Sequence, residues 1–268
     1  MMDNLENFKP ETTTIWDFPI RGNWSTHKPD YRGNFAPQIP RNVIINYSKE
    51  GDLILDPMVG SGTTLIEAKL LNRNAIGFDI NENAVAISNE RLLFEVNNHS
   101  TLAVSVGDVR ELNKIENESI DLIITHPPYW NLVEYSNQMN PNDLSSINKL
   151  EFFFREFDKG IKELFRVLKE NHYCAILMGD TRKGQHFVPL SQMLLLRCLI
   201  NGFVLKEDII KTQHNTRNTP KWINSAKNYK FYLIMHEHLF IFRKPGTTEK
   251  LSGIKYSEWN GINSIISI

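Results

Sequence analysis

Between residues 53 and 178 the sequence alternates short, largely apolar runs with longer segments of helical periodicity. The apolar runs are Leu53–Leu55, Ala75–Asp79, Leu102–Val106, Ile120–Thr125 and Tyr173–Met178. Runs of this length are typical of strands buried on both faces of a sheet. Because helices separate them, the strands are expected to lie parallel to one another through right-handed crossovers. The pattern therefore predicts an α/β fold with a doubly wound, mostly parallel sheet.

The segments between and around these runs supply the helices and the edge of the sheet. Helices are predicted over 62–72, 82–97, 146–169 and 188–201, with one short helix near Pro40 to Tyr47 in an otherwise irregular first 50 residues. Val204–Ile210 and Phe231–Phe242 are predicted to form an antiparallel pair at one edge. The length of 268 residues fits one domain over 1–245, followed by a tail over 246–268.

Composition narrows the setting of the protein. No run of about 18 apolar residues occurs, so no membrane span or membrane partner is expected. With two cysteines and no signal-like start, a bacterial or archaeal cytoplasm is the expected location. Residues 181–230 carry nine Lys or Arg and two acidic residues, whereas the first 180 residues carry an acidic excess. The basic stretch is either a solvated surface or a site for a polyanion.

A glycine-containing turn separates the first strand from the helix that follows it. Its sequence is Asp56-Pro57-Met58-Val59-Gly60-Ser61-Gly62-Thr63-Thr64. Ligands of open α/β sheets bind beyond the carboxyl ends of the strands, and glycine lets the backbone approach a ligand closely. The turn lacks the lysine of a phosphate-binding loop and the third glycine of a dinucleotide motif. A ligand carboxylate at the helix start is therefore favoured.

Acidic residues follow the next two strands. Asp79 ends the second strand, where an acid in nucleoside-binding folds accepts hydrogen bonds from both ribose hydroxyls. Asp108 comes directly after the third strand and could accept a hydrogen bond from an adenine amino group. Each acid alone could instead cap a helix. Matching features at three successive strand ends together predict a nucleoside site.

A rigid turn follows the fourth strand, with the sequence Thr125-His126-Pro127-Pro128-Tyr129-Trp130. Two consecutive prolines limit the backbone to a few shapes. Such a turn can aim a carbonyl and the His126 side chain at one point, and Tyr129 offers a flat face on which a base can stack. The alternative is a double-proline turn that only ends a strand.

Taken together, these segments resemble those of the DNA amino-methyltransferases, which modify the 4-amino group of cytosine or the 6-amino group of adenine. Asp56–Thr64 resembles the cofactor motif of this family. Thr125–Tyr129 resembles its catalytic motif, usually Asp, Asn or Ser followed by Pro-Pro-Tyr. His27–Gln38 resembles the segment that covers the methionine end of the cofactor, and Tyr232–Lys244 resembles the last strand. The resemblance spans about residues 20–245 and implies a Rossmann-like, seven-stranded methyltransferase sheet with an antiparallel edge.

The resemblance also implies an activity, a cofactor and a set of site residues. It implies a site-specific enzyme that takes a methyl group from S-adenosylmethionine and flips a base out of duplex DNA. The implied catalytic residues are His126, Pro127, Pro128 and Tyr129. The implied cofactor-binding residues are Tyr31, Asp56, Met58, Gly60, Gly62, Thr63, Thr64, Asp79 and Asp108.

Two positions depart from the family pattern. His126 replaces the usual Asp, Asn or Ser, and Met58 stands where Phe is common. A neutral histidine can still accept a hydrogen bond. The turn looks closer to the cytosine versions, but the residue that usually separates cytosine from adenine enzymes is missing.

DNA contacts are expected from two polar segments, 131–145 and 211–230. The predicted contact residues are Lys211, His214, Arg217, Lys221, Trp222 and Lys227. Arginine and polar amides suit base edges, and lysine suits phosphates. The alternative is an ordinary surface loop.

Several alternatives stay open at this point. An RNA methyltransferase and an inactive DNA-binding homologue would have the same fold. A cognate restriction endonuclease as partner, the recognition sequence, and the choice between monomer and homodimer are undetermined. His236 and His238 would share one face of a strand, but no third ligand stands at a suitable spacing, so no metal site is expected.

Overall fold

An eight-stranded sheet forms the centre of the computed structural model, which describes residues 5, 8–130, 142–214 and 219–266. The sheet order is β1-β9-β10-β6-β5-β2-β3-β4. These strands are β1 (Ile15–Trp16), β2 (Leu53–Asp56), β3 (Asn74–Asp79), β4 (Leu102–Val106), β5 (Ile120–Thr125), β6 (Leu168–Gly179), β9 (Val204–Thr212) and β10 (His236–Arg243). A separate hairpin is formed by β7 (Thr181–Lys183) and β8 (His186–Val188).

Strand direction confirms the predicted mostly parallel sheet. Only β10 runs against its neighbours β6 and β9; the other pairs in the sheet are parallel. The predicted antiparallel pair is therefore present, one strand in from the edge. The edge is β1, an eighth strand that pairs with Ile210 and Lys211. A strand of two residues shows no periodicity in the sequence, so β1 was not predicted.

Helices cover both faces of the sheet and lie close to the predicted segments. They are α1 (Gln38–Tyr47), α2 (Thr63–Leu70), α3 (Glu82–Arg91), α4 (Leu150–Val167), α5 (Leu190–Ile200), α6 (Thr219–Tyr229) and α7 (Trp259–Ile266). In α4, Phe157, Ile161 and Leu164 lie at steps of three and four residues and are fully buried. None of the helices in the described ranges is long and apolar enough to cross a bilayer.

Two segments differ from the expectation. The segment 211–230, expected as a loop, contains helix α6, and β10 starts at His236 instead of near Phe231. The residues after 245 form a short 3-10 helix over Leu251–Gly253 and then α7, and the Ser257 carbonyl accepts a 2.9 Å hydrogen bond from the Leu205 amide. Helix α6 is mostly polar, and α7 is only eight residues long, so neither gave the extended apolar periodicity on which the sequence predictions relied.

Candidate active site

A cavity opens at the carboxyl edge of the parallel strands. Its wall is formed by residues 31–35, 57–61, 79–81, 107–109 and 142–144, with Thr63, His126 and Pro128. The glycine turn after β2 and the double-proline turn after β5 therefore open onto one space. The two neighbouring strands bring them together, because β2 and β5 pair in parallel and both turns leave from the same edge.

The glycine turn has a backbone that side chains rarely allow. Gly60 has a φ of +51° and Gly62 a φ of +86°, both in the left-handed region. A Cβ atom added at Gly60 would lie 3.3 Å from the Tyr31 ring. The Gly60 amide donates to Asp79 Oδ2 over 2.9 Å. The two glycines thus let the backbone turn tightly against the end of β3.

Three of the predicted cofactor residues support this turn from behind instead of lining the cavity. Asp56 is buried, and its carboxylate accepts hydrogen bonds from Thr64 Oγ1 at 2.6 Å and from the Met58 amide at 3.2 Å. Burial raises the pKa of Asp56 to about 7 despite these two bonds. Gly62 begins helix α2. Asp56, Gly62 and Thr64 therefore hold the shape of the loop that carries Met58 and Gly60.

Three carboxylates line the cavity. Asp79 accepts backbone hydrogen bonds from Gly60 and, at 2.9 Å, from Asn81; burial raises its pKa, and nearby Asp143 raises it further. Asp108 forms a bidentate ion pair with Arg110, whose Nε donates to Oδ1 over 2.9 Å and whose Nη2 donates to Oδ2. Asp143 was not predicted: it is 4% exposed, and its Oδ2 atom has no hydrogen-bond partner among the described residues. The cavity therefore favours a ligand that is rich in hydrogen-bond donors or positively charged.

The segment before α1 covers one side of the cavity, as the resemblance implied for His27–Gln38. Tyr31 and Phe35 form part of the wall. A buried carboxylate on α2, Glu67, anchors this segment, since it accepts from Trp24 Nε1 at 2.6 Å, His27 Nε2 at 2.7 Å and Arg41 Nη1 at 2.8 Å. All four side chains lie in the interior. The cover is therefore fixed to the helix that follows the glycine turn.

Beside the cavity, a chain of hydrogen bonds runs from His126 to the antiparallel strand β10. His126 Nε2 lies 2.7 Å from the Tyr129 hydroxyl, which donates to Glu237 Oε1 over 2.7 Å. Lys211 Nζ donates to Glu237 Oε2 over 2.9 Å. Burial alone would raise the pKa of Glu237, but Lys211 and its other partners outweigh it, and the pKa lies below its ordinary value. Glu237 is thus an ionised acceptor.

This chain determines which histidine nitrogen carries the hydrogen. The Tyr129 hydroxyl gives its one hydrogen to Glu237, so its oxygen accepts from His126 Nε2–H. In a neutral ring, Nδ1 then carries the lone pair; this buried atom makes no hydrogen bond of ordinary geometry among the described residues, although the Gly33 backbone lies near the ring. Burial lowers the pKa of His126, against the opposing effects of Glu237 and the Gly33 backbone. His126 is therefore a neutral acceptor at pH 7.

Comparison with known families shows to which family the chain belongs. A sequence model of the family described as DNA methylase, of the N6 and N4 type, matches residues 2–90 and 120–265. These ranges include the glycine turn, the double-proline turn and β10. The chain belongs to the DNA methylase family. The resemblance that the sequence suggested is confirmed, and so is S-adenosylmethionine as the cofactor of the family.

Curated relatives within and beyond this family share part of their length with the chain. Type II methyltransferase M.HpaI from Haemophilus parainfluenzae is 31% identical over 181 residues, which are 68% of this chain and 50% of the relative. A tRNA (guanine(10)-N2)-dimethyltransferase from Methanothermobacter thermautotrophicus is 37% identical over 37% of this chain and 29% of its own length. The chain spans about half the length of M.HpaI and 29% of the length of the tRNA methyltransferase.

Solved structures agree on the fold of this DNA methylase family chain. A SAM-dependent methyltransferase from Methanosarcina mazei has a TM-score of 0.52 at 18% identity, over 76% of this chain and 97% of the other. TrmN from Thermus thermophilus has a TM-score of 0.52 at 19% identity, over 80% of this chain and 50% of the other. The Rossmann-like methyltransferase fold expected from the sequence is confirmed.

The cavity of this family member fits S-adenosylmethionine on its own chemistry. The cofactor carries an ammonium, a sulfonium, two ribose hydroxyls and an adenine amino group, all of them cationic or hydrogen-bond donors. Among the carboxylates of the cavity wall, Asp79 and the unpartnered Asp143 oxygen offer acceptors for such groups, whereas both Asp108 oxygens are engaged by Arg110. Six of the nine predicted cofactor residues line the cavity: Tyr31, Met58, Gly60, Thr63, Asp79 and Asp108.

The predicted DNA-contacting residues fall into three groups. Lys211 forms an ion pair with Glu237, with 16% of its side chain exposed, and its role as a phosphate contact stays a prediction. His214 Nε2 bonds Asp17 Oδ1. Trp222 and Lys227 are exposed on α6. Arg217, the side chain of Lys221 and most of 131–145 lie outside the described residues.

Proposed function

We propose that this chain transfers a methyl group from S-adenosylmethionine to the exocyclic amino group of cytosine or adenine in duplex DNA. One observation carries the proposal: the cavity whose carboxylates suit the cofactor is also lined by His126 and Pro128 of the catalytic turn. Donor and acceptor of the methyl group would then meet in one space. Membership of the DNA methylase family supports a DNA substrate.

The cofactor side is assigned to residues at three strand ends. Asp79 would accept from the ribose hydroxyls, since its backbone hydrogen bonds from Gly60, Asn81 and Ile80 do not use all of its lone pairs. Asp108 would accept the adenine amino group. The helix start after the glycine turn would face the carboxylate. When bound, S-adenosylmethionine supplies a methyl carbon activated by the adjoining sulfonium.

The catalytic side must raise the nucleophilicity of an amino nitrogen whose lone pair is delocalised into the base. His126 Nδ1 and the Pro127 carbonyl would accept the two amino hydrogens. The nitrogen would then become more tetrahedral, which would free its lone pair for the methyl group that bound S-adenosylmethionine would supply. Flipping the base costs roughly a few kcal/mol. Most of the rate gain would come from positioning and from acceptors fixed in advance by Tyr129 and Glu237.

Tyr129 has a second proposed part besides holding His126. Its ring packs over Gly179, where an added Cβ would come within 2.5 Å of Cε2. With the ring packed against Gly179, the stacking of a flipped base on Tyr129 stays a prediction. After transfer, the nitrogen must lose a proton, and the path from His126 through Tyr129 to Glu237 offers an acceptor.

An RNA substrate is the competing function, because relatives named as tRNA methyltransferases match parts of the chain. The deciding experiment incubates the purified chain and radiolabelled S-adenosylmethionine with genomic duplex DNA or with bulk tRNA. Label in DNA, recovered as N4-methylcytosine or N6-methyladenine after digestion, is the expected result. Label in tRNA alone would contradict the proposal, and nucleoside analysis would show which base is the target.

The pH dependence of methyl transfer should report His126. Its pKa lies below 6.5 in the folded protein, so the ring stays neutral above that pH and becomes protonated as the pH falls through the lowered value. A protonated ring cannot accept an amino hydrogen. We expect kcat/KM on DNA to show an acidic limb with a midpoint below 6.5 that belongs to His126. Asp56 titrates near 7, so the variant His126→Asn is the control and should lack the acidic limb that belongs to His126.

The basic helix α6 is the proposed DNA contact among the described residues. Strand β9 ends and β10 begins at the edge where the cavity opens, so the segment 213–235 leaves from and returns to that edge. Its helix exposes Trp222, Tyr229 and Lys227 to solvent. Exposed aromatic and basic side chains together suit stacking and phosphate contacts.

Removing the charges of Lys227 on α6 and of Lys230, which directly follows α6, should flatten the salt dependence of DNA binding. For Lys227→Gln with Lys230→Gln, we expect the slope of log K against log salt to fall by about 0.9 for each lost phosphate contact. Fluorescence anisotropy with a labelled duplex measures the slope. Lys162→Gln is the matched control, because Lys162 is exposed on α4, which ends where β6 begins, at the opposite edge of the sheet. An unchanged slope in the double variant would remove α6 from the DNA surface.

A further inference from the structure

Two histidines and one carboxylate meet at the start of strand β10. His236 and His238 are two residues apart and therefore project from the same face of the strand. Gly179 pairs with Glu237, so the antiparallel register brings Asp180 beside His236 on that face. The candidate ligand atoms of Asp180, His236 and His238 all lie within 4.8 Å of one another. The third ligand that the spacing did not suggest is Asp180, which directly follows β6.

We propose that Asp180, His236 and His238 bind a divalent transition-metal ion of the zinc class. In a tetrahedral zinc site, with bonds of about 2.0–2.2 Å, neighbouring ligand atoms lie roughly 3.4 Å apart. The candidate ligand atoms lie up to 4.8 Å apart, so the side chains would have to move inward when the ion binds. Two imidazoles and one carboxylate suit zinc, whereas calcium and magnesium prefer oxygen ligands alone. Water would complete the coordination.

The groups behind two of the ligands support this assignment. Asp208 Oδ1 lies 2.9 Å from His238 Nδ1, and a hydrogen on Nδ1 leaves the Nε2 lone pair for a metal. A carboxylate that orients a ligating histidine in this way is a common feature of zinc sites. Asp180 is held by Ser191, whose amide and hydroxyl donate to Oδ1 over 2.8 and 2.9 Å. Asp180 also serves the start of α5, but a carboxylate has lone pairs for both tasks.

The proposed site lies on the opposite face of β10 from the proposed catalytic machinery. Glu237 stands between the two histidines and points the other way, toward Tyr129 and Lys211. A bound ion would tie the end of β6 to the start of β10, next to the strand position that holds Glu237. We assign the ion a role in fixing this edge, with no part in the transfer itself.

The experiment measures metal content in the absence of DNA and S-adenosylmethionine, so its outcome is independent of the proposed function. The full chain without an added histidine tag is equilibrated with zinc chloride, desalted and analysed by mass spectrometry for metal. We expect close to one zinc per chain, and a cobalt-loaded sample should show the intense visible absorption of a tetrahedral site. Saturating zinc at a hundredfold excess over Kd should raise Tm by about 5 °C.

Variants locate the ion. His236→Ala and His238→Ala should lose the bound zinc, whereas His99→Ala, which removes an exposed histidine elsewhere, should keep it. Asp208→Asn retains all three ligands and should weaken zinc binding by about 10- to 100-fold, which keeps the test informative if a ligand variant folds poorly. Wild-type protein without stoichiometric zinc, or equal zinc in His238→Ala, would overturn the proposal.

Discussion

Replacing His126 with alanine is expected to lower kcat for methyl transfer about 10²- to 10³-fold, the usual cost of removing one fixed polar group from a reaction centre. Alanine removes the acceptor at Nδ1 and leaves the Tyr129 hydroxyl without its partner ring. The carboxylates assigned to the cofactor remain. Single-turnover transfer to duplex DNA measures the effect, and calorimetry with S-adenosylmethionine should give a Kd within a few-fold of wild type.

His126→Asn supplies the matched control. Its amide oxygen can accept one amino hydrogen, as the Asn of the family motif would, so it should recover a large part of the activity that His126→Ala loses. If His126→Ala transfers methyl groups at the wild-type rate, the role assigned to the turn is wrong. If both variants lose cofactor binding as well, the side chain supports the cavity and does not act on the base.

The second large effect is expected from Glu67→Ala. This change leaves His27, Arg41 and Trp24 with buried donors and removes the charge that compensates Arg41. Breaking a buried ion pair on one side costs about 3–5 kcal/mol, so the free energy of unfolding should fall by that amount. Urea denaturation measures it as a lower midpoint at an unchanged m-value. Since the cover over the cavity loses its anchor, binding of S-adenosylmethionine should weaken too.

Glu249→Ala is the control for this prediction. Glu249 pairs with Arg243 at 2.7 Å, but both side chains are partly exposed and the pair lies away from the cover segment. A surface pair of this kind contributes at most about 1 kcal/mol. Equal losses in the two variants would show that the buried network does not hold the fold more strongly than a surface pair does.

Much of the fold could be predicted because its signals are local. Buried strands of an α/β sheet are short apolar runs, and α4 shows its buried face at steps of three and four residues. The weakly patterned elements escaped prediction: β1 has two residues, and α6 is mostly polar. The position of β1 depends on its pairing with β9, and α6 is largely exposed to solvent. The composition of the sequence reveals neither.

The site residues likewise divide into those that local sequence signals predicted and those that they missed. Gly60, Asp79 and His126 were predicted because each stands at a strand end, and the parallel sheet brings strand ends together. Asp143 escaped because it follows a long segment without a pattern. The charge of Lys211 suggested a surface role, but its ammonium group forms an ion pair with Glu237.

By itself, the sequence determined the order of strands and helices and the two turns that face the cavity, because periodicity, glycine and proline act on the backbone within a few residues. Only the tertiary structure decided the partners of the polar side chains. Tyr129 and Glu237 are 108 positions apart, and Glu67 lies 43 positions from Trp24. A residue type specifies what a side chain can bond, but only the packing of the sheet specifies which distant group lies within reach.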